Sequence, residues 1–110
     1  MRPSGPPVIG LRVDDHSAEV VVYVDGELDI LTAPKLAAAI DSVVRTSESD
    51  VVLDLRTLRF IDSAGLQLLM NTRRRLLRAR RNMSVKCGDG QVRRAIELAR
   101  LTDALGVINL

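Results

Sequence analysis

The residues best placed to do chemistry lie in one stretch, Asp54-Leu55-Arg56-Thr57-Leu58-Arg59-Phe60-Ile61-Asp62-Ser63-Ala64-Gly65-Leu66. It reads as a strand, a loop and the start of a helix. Ser63 precedes the helical periodicity, so its ordinary role is the N-cap, with Oγ accepting a backbone N–H of the first turn. The same place suits a phosphate. A helix N-terminus offers free N–H groups and a partial positive charge. Phosphorylation there would add about −1.5 to −2 charges beside Asp62. On the residues alone both roles stay open, a cap in one state and a phosphate acceptor in another.

Other reactive arrangements are poorly served. His16 is the single histidine and falls in an expected turn. A Ser/His/Asp triad would have to be built on it, and Cys/His catalysis would need it to meet Cys87; the spacing supports neither. There is no G-x-x-x-x-G-K-[ST] and no G-x-G-x-x-G, and Gly88-Asp89-Gly90 is too short to cradle a phosphate chain. Asp25, Glu27 and Asp29 are more simply solvated acids than metal ligands. No catalytic residue, metal or cofactor is therefore expected, and the chain reads as something other than an enzyme. One cysteine excludes an internal disulfide and a Cys-based zinc cluster and agrees with a reducing compartment. No apolar run approaches the ~20 residues that cross a bilayer, and the N-terminus lacks a signal-peptide apolar region. The expectation is a soluble cytoplasmic protein without membrane contact.

The elements that must position Ser63 follow from pattern. With 110 residues, 46 % hydrophobic and 27 % charged, the chain suits one globular domain. Tyr23 and Phe60 are the only aromatics, so the core must come from Val, Leu, Ile and Ala. So few aromatics also argue against a stacking platform for single-stranded nucleic acid. Residues 1–7 hold three of the four prolines and read as an irregular tail, leaving 8–110 as the domain. Val8 to Asp14 and Ala18 to Val24 form an expected hairpin. Asp25-Gly26 breaks it, and Glu27-Leu28-Asp29 reads as loop. Thr32 is a candidate N-cap and Pro34 fits the first turn. Leu36, Ala37, Ile40, Val43 and Val44 then make a helical stripe. Val51 to Leu55 is a short central strand, and Phe60-Ile61 an apolar pair before Asp62. A long helix from Ser63 buries Leu66, Leu69, Met70, Leu76 and Leu77. Met83 to Cys87 is a strand, Gln91 to Leu101 a short helix, and Gly106 to Leu110 the start of a last strand. The order β-β-α-β-α-β-α-β predicts an α/β fold with a largely parallel sheet and an antiparallel first hairpin.

Charge is unevenly spread. The net is +2, yet Arg73 to Arg81 holds six arginines and no acid, and without them ten bases face fourteen acids. The plain reading is a solvated helix face whose long stems cover apolar neighbours. Steering toward an acidic partner is a second reading. Phosphate contacts with nucleic acid are a third, but no helix-turn-helix or zinc-finger pattern accompanies them, so no direct nucleic-acid binding is expected.

Two motifs together resemble a known family. Val24-Asp25-Gly26-Glu27-Leu28-Asp29 with Ala33-Pro34-Lys35-Leu36, and Val51-Val-Leu-Asp-Leu55 followed by Phe60-Ile-Asp-Ser-Ala-Gly-Leu66, resemble the two signatures of the STAS domain, found in bacterial anti-sigma factor antagonists. The resemblance runs from about Val8 to Leu110. It implies a mixed, mostly parallel four- to five-stranded sheet flanked by helices, in a monomer. It implies that the unphosphorylated protein captures an anti-sigma factor that is also a serine kinase, freeing the sigma factor. Phosphorylation of Ser63 from ATP would end that capture, and a metal-dependent serine phosphatase would reverse it. Glu27, Asp29, Asp62, Ala64, Gly65 and Gln67 are then the partner-binding residues. The sequence departs from the family pattern at Ala64, where a second hydroxyl is common, and at Gln67, where Gly is common. It also stops at Leu110, short of a usual last helix, which leaves one sheet face with more apolar surface exposed. The same fold could instead serve as a scaffold or regulatory subunit in a stress-signalling or transport complex, with Ser63 only a cap.

Overall fold

The computed structural model describes residues 8–16 and 18–108; the expected tail at 1–7 and the last two residues of the expected final strand lie outside them. The elements run β1 (Ile9–Asp15), β2 (Glu19–Leu28), α1 (Ala33–Thr46), β3 (Asp50–Asp54), β4 (Leu58–Ile61), α2 (Ser63–Arg78), β5 (Met83–Lys86), α3 (Gln91–Leu98) and β6 (Val107–Ile108). The sheet order is β1-β2-β3-β5-β6, and β4 pairs β2. β1 and β2 are antiparallel and every other pair is parallel. The expected α/β plan holds, but the described residues form six strands and not the four to five implied by the resemblance, because Leu58–Ile61 pairs β2 and Val107–Ile108 pairs β5.

The expected break at Asp25-Gly26 is not a strand end. Gly26 has φ +95, and a Cβ there would sit 2.3 Å from the Val8 carbonyl oxygen. Only glycine accepts that backbone and that approach. The register shifts between Gly26 and Glu27, and β2 continues to Leu28. Its first half pairs β3 from Glu19 to Tyr23, and its last residues pair β4. The bulge thus carries β2 from one parallel neighbour to another, and Phe60-Ile61 becomes part of a strand.

Strand alternation sorts the two sheet faces. Val20, Val22, Val24, Val51, Leu53, Met83 and Val85 meet Leu36, Ile40, Val43, Leu69, Leu76, Val92 and Ile96 of the helices in one core. The other face carries Tyr23 and Asp54, with Arg12 stacked 3.8 Å from the Tyr23 ring centre. Val21 and Val52 on that side are buried. Among the described residues this face is largely polar, with Ile108 its exposed apolar member at the β6 edge.

Arg56 closes on Asp54 in a two-pronged pair, Nε to Oδ1 at 3.0 Å and Nη2 to Oδ2 at 2.6 Å. Burial pushes the Asp54 carboxyl up, but the Arg56 hydrogen bonds outweigh it and hold the group below its usual 3.8. The native state thus binds fewer protons than the unfolded chain. The stabilisation is fully present above about pH 4 and disappears as pH falls through the lowered native value. Urea midpoints measured from pH 5 down to pH 2 should show this loss, and Asp54→Asn should flatten that part of the curve.

Helix α2 buries Gly65, Leu69, Thr72 and Leu76, a stripe rotated from the expected one. Leu66 and Met70 are only half-buried and Leu77 is 49 % exposed. The rotation has a cause: without a side chain at Gly65 the helix seats directly on Ile61 and Leu28. Thr72 is admitted because its hydroxyl donates to the Leu68 carbonyl at 2.8 Å. Helix α3 stops at Leu98, three residues short of expectation, and Leu98 is exposed.

Both helices end alike. Arg81 N–H donates to Leu76 O and Arg80 N–H to Leu77 O; Leu101 N–H donates to Ile96 O and Arg100 N–H to Glu97 O. These are paired Schellman closures, with Arg80 (φ 59) and Arg100 (φ 57) in the left-handed position where glycine is usual. Arg80→Gly and Arg100→Gly should each raise stability by about 1 kcal/mol, less the entropy glycine regains on unfolding. A denaturant midpoint that falls would contradict this.

The arginine run is divided. Arg73 Nη1 donates to Met83 O at 2.9 Å, Arg75 pairs Asp41 at 2.9 Å, and Arg81 is buried with Nε donating to Ser49 O at 2.6 Å. Only Arg74, Arg78 and Arg80 match the expected solvated face.

Candidate functional site

The last residues of β2 and β4 place Ser63. Leu28 and Ile61 are register partners, and Asp62 N–H donates to Leu28 O at 3.2 Å. Asp62 has extended backbone, and its Oδ1 accepts Gly65 N–H at 3.0 Å. Asp62, not Ser63, is therefore the N-cap, which corrects the expected cap role of the serine. A carboxylate is a stronger acceptor than a hydroxyl, and the extended residue is the one whose side chain reaches back over the first turn. Ser63 becomes the first helical residue and is exposed, its hydroxyl carrying none of the cap's bonds. Ala64 is half-buried, Gly65 buried and Gln67 exposed, with Gln67 Nε2 donating to Asn71 Oδ1 at 3.0 Å.

Glu27 and Asp29, expected as partner contacts, are turned inward. Glu27 is 3 % exposed, and its Oε2 takes Arg59 Nη2 at 2.9 Å, tying β2 to β4. Asp29 is fully buried, and its Oδ1 accepts Leu31 N–H at 2.9 Å and Thr32 N–H at 3.0 Å. Thr32 stands at the N-cap position of α1 without capping it. Its hydroxyl turns back, donating to Glu27 O at 2.7 Å and accepting Asp29 N–H at 3.0 Å. These bonds fold residues 29–32 into a tight turn that pushes Ile30 and Leu31 outward, 71 % and 69 % exposed. The turn follows Leu28 directly and so shares the end of the sheet that bears Ser63. Sequence reasoning missed this apolar pair. The available signal was two consecutive large apolar residues lying off the α1 stripe.

A shallow groove of about 290 Å³ begins at Ser63 and runs along α2 past Leu66 and Met70 to Arg74, with Ala99 and Leu101 forming its other wall. A more polar cleft of about 390 Å³ lies between the β3–β4 and β5–α3 turns, and Ser63 does not line it. The groove that begins at Ser63 is thus lined mainly by apolar side chains, with Gln67 and Arg74 as its other polar members.

Nucleophilic catalysis finds no support in the placement. His16 lies in the turn that begins β2, at the opposite end from Leu28 and Ser63, and Cys87 follows β5 at the Ser63 end. Cys87 is buried, and burial pushes its thiol up. Among the described residues no group of three His, Cys, Asp or Glu is arranged to hold a metal ion. No described helix is long and apolar enough to cross a membrane.

Residues 11–109 match the STAS domain. A curated relative, the anti-sigma-F factor antagonist RsfB of Mycobacterium tuberculosis, is 35 % identical over 85 residues, which cover 77 % of this chain and 66 % of RsfB. The chain thus spans just under two thirds of that relative's length. The crystal structure of an anti-sigma factor antagonist from Mycobacterium paratuberculosis superposes with a TM-score of 0.86 at 32 % identity, covering 98 % of this chain and 92 % of the other. The phosphorylated form of the Bacillus cell fate determinant SpoIIAA shares the fold, with a TM-score of 0.71 at 17 % identity over 92 % of this chain and 91 % of its own.

Proposed function

Because the chain belongs to the STAS domain family, we propose that it is an anti-sigma factor antagonist switched by phosphorylation of Ser63. Unphosphorylated, it binds an anti-sigma factor serine kinase and so frees a sigma factor. The kinase then moves the γ-phosphoryl group of ATP to Ser63 Oγ. The bond to ADP breaks, the Oγ–P bond forms, and the hydroxyl proton leaves to a base of the kinase. A metal-dependent serine phosphatase hydrolyses the ester and restores binding. The protein acts in this scheme as a monomeric cytoplasmic binding module, not as an enzyme, with no cofactor of its own and no direct contact with nucleic acid.

The observation that carries this reading is the exposed Ser63 hydroxyl at a helix N-terminus whose cap is already supplied by Asp62. Modification there leaves the fold's own bonds intact, and Ala64 offers no competing hydroxyl. Asp62, Ala64 and Gln67 flank the acceptor, Gly65 seats it, and Ile30, Leu31 and Met70 supply apolar contact. Glu27 and Asp29 act by shaping the turn.

Intact-mass measurement after incubation with ATP and the cognate kinase tests the assignment. One phosphoryl group should be added, and none to Ser63→Ala. Modification that persists in Ser63→Ala would remove Ser63 from the role. Absence of any modification, with recovery of transport or stress-complex subunits on pull-down, would favour a scaffold without a switch.

A further inference from the structure

We propose that Gln91 is a positioning residue for Ser63, its side-chain amide clamping the strand end that carries the acceptor; the inference rests on the phosphorylation reading above. Among the described residues β4 pairs with a single strand, β2. Successive residues of a strand direct their backbone groups to opposite sides. Asp62 N–H faces β2 and reaches Leu28 O. The Ile61 N–H and C=O face the other way, where no strand runs.

Gln91 fills that edge. Its Oε1 accepts Ile61 N–H at 2.9 Å, and its Nε2 donates to Ile61 O at 2.9 Å. A primary amide presents one acceptor and one donor side by side, as a backbone residue of a neighbouring strand does, so Gln91 stands in for one rung of a ladder. Ile61 is 1 % exposed, so water is a poor substitute for either bond. The clamp is firmly mounted. Gln91 opens α3, which anchors Val92 and Ile96 in the core, and Arg93 ties the turn before it by donating to Cys87 O at 2.6 Å and Gly88 O at 3.2 Å. The residue before Asp62-Ser63 is thus held on its outer side by Gln91, while Asp62 is held on the inner side by Leu28. A phosphoryl acceptor must meet its donor in one geometry, and a segment free to fray spends little time in it.

The test uses the full chain with Gln91→Leu, Gln91→Glu and, as a destabilised control away from the clamp, Val43→Ala in the buried stripe of α1. Amide hydrogen exchange read by NMR needs no kinase. In Gln91→Leu the Ile61 amide should exchange at least tenfold faster, with Val22 and Leu53 unchanged; an unchanged Ile61 amide overturns the clamp. Gln91→Glu should lose protection at neutral pH, where the carboxylate can accept but not donate, and regain it on acidification as the acid O–H replaces the amide donor. Failure to regain it counts against a donor–acceptor clamp. With the kinase, Gln91→Leu should be phosphorylated about tenfold more slowly, and Val43→Ala, although less stable, at the wild-type rate. Equal slowing of both variants, or of neither, overturns the positioning role. A wild-type chain that takes no phosphate would refute the switch itself, while the exchange measurements would still decide the clamp.

Discussion

Ser63→Asp should bind the anti-sigma kinase about a hundredfold or more weakly than the wild type, and Ser63→Ala should bind as tightly as the unmodified protein. The asymmetry follows from what surrounds the hydroxyl. Leu66, Met70, Ala99 and Leu101 make the groove that begins at Ser63 mainly apolar, with Arg74 also in its lining, and Ile30 and Leu31 are exposed at the same end of the sheet. A charge carried into such an interface without a partner loses its water and costs several kcal/mol, in order of magnitude. Each 1.4 kcal/mol is tenfold in affinity, so a hundredfold loss needs only about 3 kcal/mol of that penalty. A phosphate, with about −1.5 to −2 charges, should exceed the effect of a single carboxylate. Ser63→Ala removes a hydroxyl that bears none of the cap's bonds, so its stability should lie within about 0.5 kcal/mol of wild type, the range of ordinary surface substitutions. Calorimetric titration of the three proteins against the kinase with ADP checks both parts. Equal affinities for Ser63→Asp and wild type would mean that charge at this residue does not control binding.

Gly65→Ala is expected to be the most damaging small change near the site, lowering stability by about 3 kcal/mol. The added Cβ would lie 2.6 Å from Ile61 Cγ1, 2.8 Å from the Leu28 carbonyl oxygen and 3.0 Å from Leu28 Cγ. The side chains have nowhere to move, since Leu28 and Ile61 are both fully buried. The carbonyl oxygen belongs to the bond that holds Asp62 N–H, so relieving the clash means lifting α2 off β2. Overpacking of this kind typically costs 1–3 kcal/mol, and the disturbed backbone bond puts this case at the upper end. Gly88→Ala is the matched control, because its Cβ would meet only Arg56 O at an ordinary 3.6 Å. Urea denaturation should separate the two variants clearly, and a near-neutral Gly65→Ala would show that α2 does not need its close seat.

The sequence was informative where a single local rule governs. The stripe Leu36, Ile40 and Val43, the Val-rich β2 and β3, and the existence of a long helix after Asp62 all follow from period and composition. It was misleading where the outcome depends on a partner far along the chain. Gly26 reads locally as a strand terminator, yet its neighbour is Val8, and the strand runs on to meet β4. The α2 stripe reads as Leu66 and Met70 until Gly65 is known to sit on Leu28. Ser63 as cap and Asp62 as cap differ by one residue, and only backbone conformation separates them. Glu27 and Asp29 look like surface acids because their burial rests on Arg59 and on the backbone of residues 31 and 32.

Among the described strands β2 is the one paired with three others, β1, β3 and β4. Two of these pairings are parallel and join distant residues, Glu19 with Asp50 and Gly26 with Leu58. Such contacts are intrinsically slow to form, because long loops must close before they are rewarded. The turn that exposes Ile30 and Leu31 and the cap that leaves Ser63 free both hang from the far end of β2. A nascent or misfolded chain therefore contains the serine but not its presentation. Under the proposed switch, recognition of Ser63 in place would double as a readout of completed folding, and immature copies would stay outside the regulated pool.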